Sequence, residues 1–209
     1  LSNYSQYAWL VFAFVTAAVL VLALIGPARR VGLVDHPAGR KKHEVPTVLV
    51  GGLAIFLAIF LTMYLAGLLE NQSASLIISI LVVVGIGVAD DAHEIGYRSK
   101  FFAQLVAGLL IVSGTSIHVM HLGDIFGIGD ISLEKWSYLI TVIAIIGLMN
   151  AINMIDGLDG LAGTQVLVSV TFFALVALNA GDARIGLELL ILCGAIGGFL
   201  VFNLRSHCL

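Results

Sequence analysis

Charge is scarce in this sequence, and cysteine scarcer. Only 11% of the residues are Asp, Glu, Lys or Arg and the net charge at pH 7 is -3, so there is no basic surface for nucleic acid and no run of like charge forming a tail. The 2 cysteines, Cys193 inside an apolar stretch and Cys208 next to the end, give no disulfide framework. No basic residue precedes the first apolar run, and no small-residue cleavage site follows it. The expectation is a first span that stays as an anchor, not a cleaved signal peptide. There is no internal repeat and no linker long enough to separate a second domain, so residues 1–209 are expected to form one helical bundle.

What remains is apolar. With 60% hydrophobic residues and a mean hydropathy of +1.08, the chain lies outside soluble globular composition and reads as an all-α polytopic membrane protein. Hydropathy predicts spans at 7–26, 47–69, 74–89, 101–117, 136–155, 161–180 and 185–204, about seven transmembrane helices. With the N-terminus outside, the inner loops hold Arg29, Arg30, Arg40, Lys41, Lys42, Arg98, Lys100 and Arg205, and the outer ones only Lys135 and Arg184, as the positive-inside rule requires. Tyr4, Tyr7 and Trp9, and then Trp136 and Tyr138, fall at outer span ends as interface anchors. Ala103 with Ala107, and Gly194 with Gly198, have the four-residue spacing that lets helices approach closely. The segment 118–135, with Gly123, Gly127 and Gly129 among alternating apolar residues, is expected to form a short extracytoplasmic hairpin. His118 and His121 lie there three apart, without a third ligand to make a metal site.

Three polar clusters break the apolar pattern, and this topology sends all three to the inner face. The first loop carries Asp35, His36, Arg40, Lys41, Lys42 and His43, a set suited to phosphate groups, although juxtamembrane cations also arise from lipid headgroups alone. Asp90 and Asp91 are adjacent carboxylates at the end of the short third span. Their mutual repulsion calls for a cation, a proton or a basic neighbour, and Lys100 begins the next span within reach. The third cluster, Asn150-Ala-Ile-Asn153-Met-Ile-Asp156-Gly-Leu-Asp159-Gly, puts amides and carboxylates at three-residue spacing, with Gly157 and Gly160 free to turn Asp159 toward the same point. Oxygen donors of this kind suit a hard cation such as Mg2+ bridging carboxylates to phosphates. In a soluble protein the same string would read as a helix end and a turn; next to a membrane span, ionisable groups are a functional hypothesis by default. The glycines at 85 and 87 are no dinucleotide fingerprint, and the Asp-Gly string lacks the final Glu of an EF-hand loop.

Taken together, GLVDHPAGRKKH, the Asp90-Asp91 pair followed by Ile95-Gly96 and Lys100, and NAINMIDGLDGLAG resemble the polyprenyl-phosphate N-acetylhexosamine-1-phosphate transferase family, in that family's order. The likeness is to the branch that moves N-acetylglucosamine 1-phosphate onto undecaprenyl phosphate. It implies a bacterial inner-membrane enzyme that takes UDP-GlcNAc from the cytoplasm, requires Mg2+, releases UMP and begins the lipid-linked synthesis of a cell-envelope polysaccharide such as the O-antigen of lipopolysaccharide. Carried over by position, Asp90 and Asp91 would engage or deprotonate the lipid phosphate, and Lys100 would hold the diphosphate. Asn153 and Asp156 would ligate the metal, Asp156 and Asp159 would position the metal-bound substrate, and Asn150 would support the site. Asp35, His36, Arg40, Lys41 and His43 would add phosphate contacts. The later metal carboxylate and the His-rich loop of the family do not follow Arg205. The expectation is therefore an N-terminal portion of such an enzyme, impaired in turnover by itself. Two other readings stay open: a cation- or proton-coupled transporter, and a non-catalytic membrane partner.

Overall fold

A computed structural model of the chain describes residues 3–35, 47–48, 50–93, 95–156 and 159–204. Among these are seven α-helices: α1 (Asn3–Val31), α2 (Gly51–Leu65), α3 (Ala74–His93), α4 (Tyr97–Gly114), α5 (Ser137–Ile155), α6 (Leu161–Asn179) and α7 (Ala183–Asn203). The only ladder among the described residues pairs β1 (Val34–Asp35) with β2 (Thr47–Val48), antiparallel, Val34 opposite Val48. The chain is an all-α membrane protein, and five of the helices, α1, α3, α5, α6 and α7, are long and apolar enough to cross a bilayer.

Seven predicted spans thus become seven helices, with boundaries moved for local reasons. The run predicted at 47–69 holds a helix of 15 residues, about 22 Å long at 1.5 Å per residue. Thr47 and Val48 are drawn into the ladder, and Gly67, at φ +69, turns the chain out of the helix. α3 does not stop at residue 89 but runs on through Asp90 and Asp91 to His93. Backbone hydrogen bonding, not hydropathy, decides where a helix ends, and polar side chains do not interrupt it. α4 begins at Tyr97, so Arg98 and Lys100 lie on its first turn, where an interface loop was expected.

The described chain contains two compact units. The first, Leu1–Asn71, Asp91–His93 and Ile155–Leu209, is built around α7, whose contacts with α1, α2 and α6 bury 56% of its apolar stretch. Close approach depends on the absence of side chains: a Cβ on Gly194 would collide with the carbonyl oxygen of Leu10, and one on Gly198 with that of Phe14. Ala13, Ala17, Ala58, Leu187, Ile191 and Ala195 fill the space between these helices. The predicted small-residue packing is therefore borne out at the Gly194 and Gly198 pair. Asp182 caps α7 by accepting from the Ile185 amide at 3.0 Å.

The second unit, Gln72–Asp90 and Glu94–Met154, holds α3 up to Asp90, α4 and most of α5. Ala103 and Ala107 are buried on α4, Gly108 lies against Val142 of α5, and Gly114 lies against Ser75 of α3. The expected hairpin forms between α4 and α5: Leu122 donates to Ile131 at 3.0 Å, Ile131 to Gly123 at 3.3 Å, and Leu133 to Met120 at 2.9 Å.

Candidate functional site

The second unit carries a groove of ≈ 890 Å³ between α3, α4 and α5. Its α3 wall is Val83, Ile86 and Gly87, leading to Asp90; α4 contributes Tyr97, Arg98, Lys100, Phe101 and Gln104, and α5 contributes Met149, Asn150 and Asn153. Helical periodicity explains the grouping, because residues three and four apart on each helix line up on one face. Gly87 has open space where a Cβ would stand, which keeps that wall free.

Asp90 and Lys100 meet across the α3–α4 connection, Nζ to Oδ2 at 2.6 Å, with the side chains 27% and 39% exposed respectively. This is the basic neighbour that the adjacent carboxylates called for, and it is Asp90 that receives it. Successive helical residues diverge by about 100°, and Asp91 is exposed and belongs to the first unit. An ammonium held by one carboxylate at partial exposure keeps N–H groups for an anion.

Asn150 is oriented by its neighbours. Its amide nitrogen donates to Gln104 Oε1 at 2.8 Å and to Ile146 O at 2.8 Å, which uses both N–H groups and leaves the amide oxygen without a partner among the described residues. Asn153, one turn on, is exposed and lines the same groove. Arg98 donates from Nε to the Tyr97 hydroxyl at 3.1 Å, leaving its terminal nitrogens available at the groove wall. Gln104 and Arg98 were not singled out as site residues from the sequence. Gln104 was findable as the lone amide in the apolar body of α4, whereas Arg98 was read only for orientation.

Asp156 and Asp159 lie in the first unit, exposed, on the turn between α5 and α6. The turn closes as its glycines predict at the one described position: Gly160 takes φ +74 and its carbonyl accepts from the Thr164 amide at 2.9 Å, starting α6. The backbone of Asp35 sits in β1, but its side chain and all of His36, Arg40, Lys41 and His43 lie outside the described residues.

Among the described residues no three His, Cys, Asp or Glu side chains gather to hold a metal. The Asp90 carboxylate and the Asn150 and Asn153 amide oxygens line the groove, and no imidazole or thiol lines it with them. That chemistry fits a hard cation bound through few protein ligands, with waters and phosphate oxygens completing its shell.

The groove's walls are apolar, and its polar members are one carboxylate, two cations, three amides and a phenol. The model of glycosyl transferase family 4 matches residues 73–207, and the chain belongs to that family. It is 31% identical over 200 residues, 93% of this chain and 55% of the relative, to a probable undecaprenyl-phosphate N-acetylglucosaminyl 1-phosphate transferase of Bacillus subtilis (strain 168). It is 29% identical over 194 residues, 93% of the chain and 52% of the relative, to the undecaprenyl-phosphate alpha-N-acetylglucosaminyl 1-phosphate transferase of Salmonella typhi. A decaprenyl-phosphate N-acetylglucosaminephosphotransferase of Mycobacterium tuberculosis (strain ATCC 25618 / H37Rv) is 31% identical over 143 residues, 62% of the chain and 35% of the relative. The chain thus spans about half the length of the first two relatives. The resemblance drawn from the three polar clusters is borne out at the level of the family.

Proposed function

We propose that the protein to which this chain contributes transfers N-acetylglucosamine 1-phosphate from UDP-GlcNAc to undecaprenyl phosphate and releases UMP. The reaction runs on the cytoplasmic face of a bacterial inner membrane, with the N-terminus of the chain outside. The observation that carries this reading is the Asp90–Lys100 pair at 2.6 Å on the wall of a groove shared with Asn150 and Asn153. The printed names of the relatives supply the acceptor class and the sugar. The eight inner and two outer basic residues support the orientation.

Two anionic substrates approach each other only if positive charge is placed between them, and Lys100 and Arg98 supply it from one helical turn. An oxygen of the lipid phosphate attacks the sugar-bearing phosphorus of UDP-GlcNAc. The new P–O–P bond forms as the old one breaks, and the electron pair of the broken bond leaves on UMP. Asp90 holds Lys100 in place and engages the lipid phosphate or takes its proton. Gln104 fixes the Asn150 amide so that its oxygen is presented in one direction. Asn153, on the groove wall, would be a ligand to Mg2+, which would supply positive charge against the diphosphate. With little covalent chemistry for the protein to do, positioning and charge placement are the main contributions.

The test is UMP release from UDP-GlcNAc in the presence of undecaprenyl phosphate, with and without Mg2+. The purified chain is assayed beside the same chain extended by the C-terminal half of the Bacillus subtilis relative. Lipid-dependent, Mg2+-dependent UMP release is expected from the extended chain, and a much smaller rate from the chain by itself. Absence of lipid-dependent release from both would sink the proposal.

A further inference from the structure

The hairpin between α4 and α5 is built inside out for a loop in water. Ile125, Phe126 and Ile128 at its tip are 59%, 74% and 77% exposed. Its carboxylates, in contrast, are turned onto the hairpin itself. Asp124 Oδ1 accepts from the Gly129 amide at 3.0 Å, Asp130 Oδ1 accepts from the Gly123 amide at 3.1 Å, and Asp130 Oδ2 meets His121 Nδ1 at 2.6 Å. Positive φ at Gly123, Gly127 and Gly129 lets the backbone make this turn. Each tip carboxylate thus takes a donor from the hairpin itself, while the apolar side chains are presented outward.

The base of the hairpin shows at what depth it lies. The Val119 amide donates to Thr141 Oγ1 at 2.9 Å, and the Val119 carbonyl accepts from the Ser137 hydroxyl. Both hydroxyl-bearing residues are buried on α5, and Thr141 is one turn, about 6 Å, beyond Ser137, the first residue of that helix. The His118 ring stacks on Tyr138 with centroids 4.7 Å apart, and Trp136 and Tyr138 are both exposed beside it. Non-helical backbone at membrane depth persists where protein side chains satisfy it, and exposed Trp and Tyr mark the interface. The segment leading to the tip therefore lies along the first turns of α5.

We infer that the hairpin tip is a membrane-dipping element, with Ile125, Phe126 and Ile128 seated at the boundary between headgroups and acyl chains of the leaflet where α5 begins. The occupant of this apolar face is lipid, and the element fixes α4 and α5 against sliding along the membrane normal.

The experiment places single cysteines at Phe126 and, separately, Ile128 in a Cys193→Ala, Cys208→Ser chain, with Glu70→Cys as the water-exposed reference. Each is labelled with an environment-sensitive fluorophore and reconstituted into phosphatidylcholine–phosphatidylglycerol vesicles, with or without nitroxide-bearing lipids. The expected result is quenching by the nitroxide lipids at 126 and 128, with iodide quenching at least about fivefold weaker than at 70. Iodide quenching equal to that at 70, without lipid quenching, would overturn the inference by placing the tip in water. Shielding from both quenchers would overturn it in favour of a protein partner, such as a second copy of the chain. The Ile128 variant repeats the reading at a neighbouring side chain, so a local disturbance at 126 cannot decide it.

Discussion

Replacing Lys100 separates a structural ion pair from a functional one, because the structure bounds what the pair is worth to folding. At 2.6 Å the bare Coulomb attraction with Asp90 is about 1.6 kcal/mol in water and about 6 kcal/mol at an effective dielectric constant of ~20. The Lys100 side chain is 39% exposed and that of Asp90 27%, so solvent screening and the entropy of holding a long side chain bring the net value down to about 0.2–1 kcal/mol. Lys100→Met, which keeps the apolar stem, should therefore leave resistance to SDS unfolding within about 1 kcal/mol of the parent. If the ammonium instead meets the phosphates, UMP release by the extended chain should fall more than about 100-fold, equivalent to ~2.7 kcal/mol of barrier. The decisive control is the exchanged pair Asp90→Lys/Lys100→Asp, which restores the bridge but moves each charge to the other helix. It should recover stability and not turnover. The reasoning fails if Lys100→Met keeps turnover within tenfold of the parent, or if the exchanged pair recovers it.

Two further outcomes follow from packing and from topology. Gly198→Ala should cost about 1–3 kcal/mol in an SDS-unfolding titration, because its Cβ meets the Phe14 backbone and not a movable side chain. Gly85→Ala, with nothing within 4 Å, should cost less than about 0.5 kcal/mol, and equal costs at the two sites would refute the packing account. In intact cells, cysteines replacing Arg40 or Lys100 should resist a membrane-impermeant maleimide, while those replacing Lys135 or Arg184 should react. Labelling at 40 or 100 would reverse the proposed orientation.

How much of this was legible in the sequence depended on whether the feature leaves a periodic or compositional trace. The helices did, because a span needs about 20 apolar residues and the chain supplies such runs with little else. So did the close approach at Gly194 and Gly198, since four-residue spacing puts both on one face. The helix ends did not: Asp90, Asp91, Arg98 and Lys100 were expected at interfaces because they are charged, yet all four are helical. Charge reports the preferred solvent of a side chain and says little about whether its backbone hydrogen bonds continue. The reach of Lys100 toward the Asp90-Asp91 pair was foreseen from spacing, but which of the two it meets was set by the rotation of α3. Gln104 stands out as the lone amide of α4, but its role appears only once Asn150 is seen beside it.

Glycine makes opposite contributions in the two units, and the difference bears on where a site can exist. In the first unit, Gly194 and Gly198 face backbone and draw α1 against α7, which is why α7 is the most buried of the apolar spans. In the second, Gly85 and Gly87 on α3 face open space, and only 6% of that helix's apolar stretch is buried. A helix packed as tightly as α7 has no room for a ligand, whereas one as sparsely packed as α3 leaves its wall to be covered by something else. The groove of the second unit runs along that wall, apolar at Val83, Ile86 and Phe101 and polar at Asp90 and Lys100. A water-soluble substrate alone would not need such a wall. The proposed acceptor, itself a lipid phosphate, would, and on that proposal the loose packing of α3 belongs to the site.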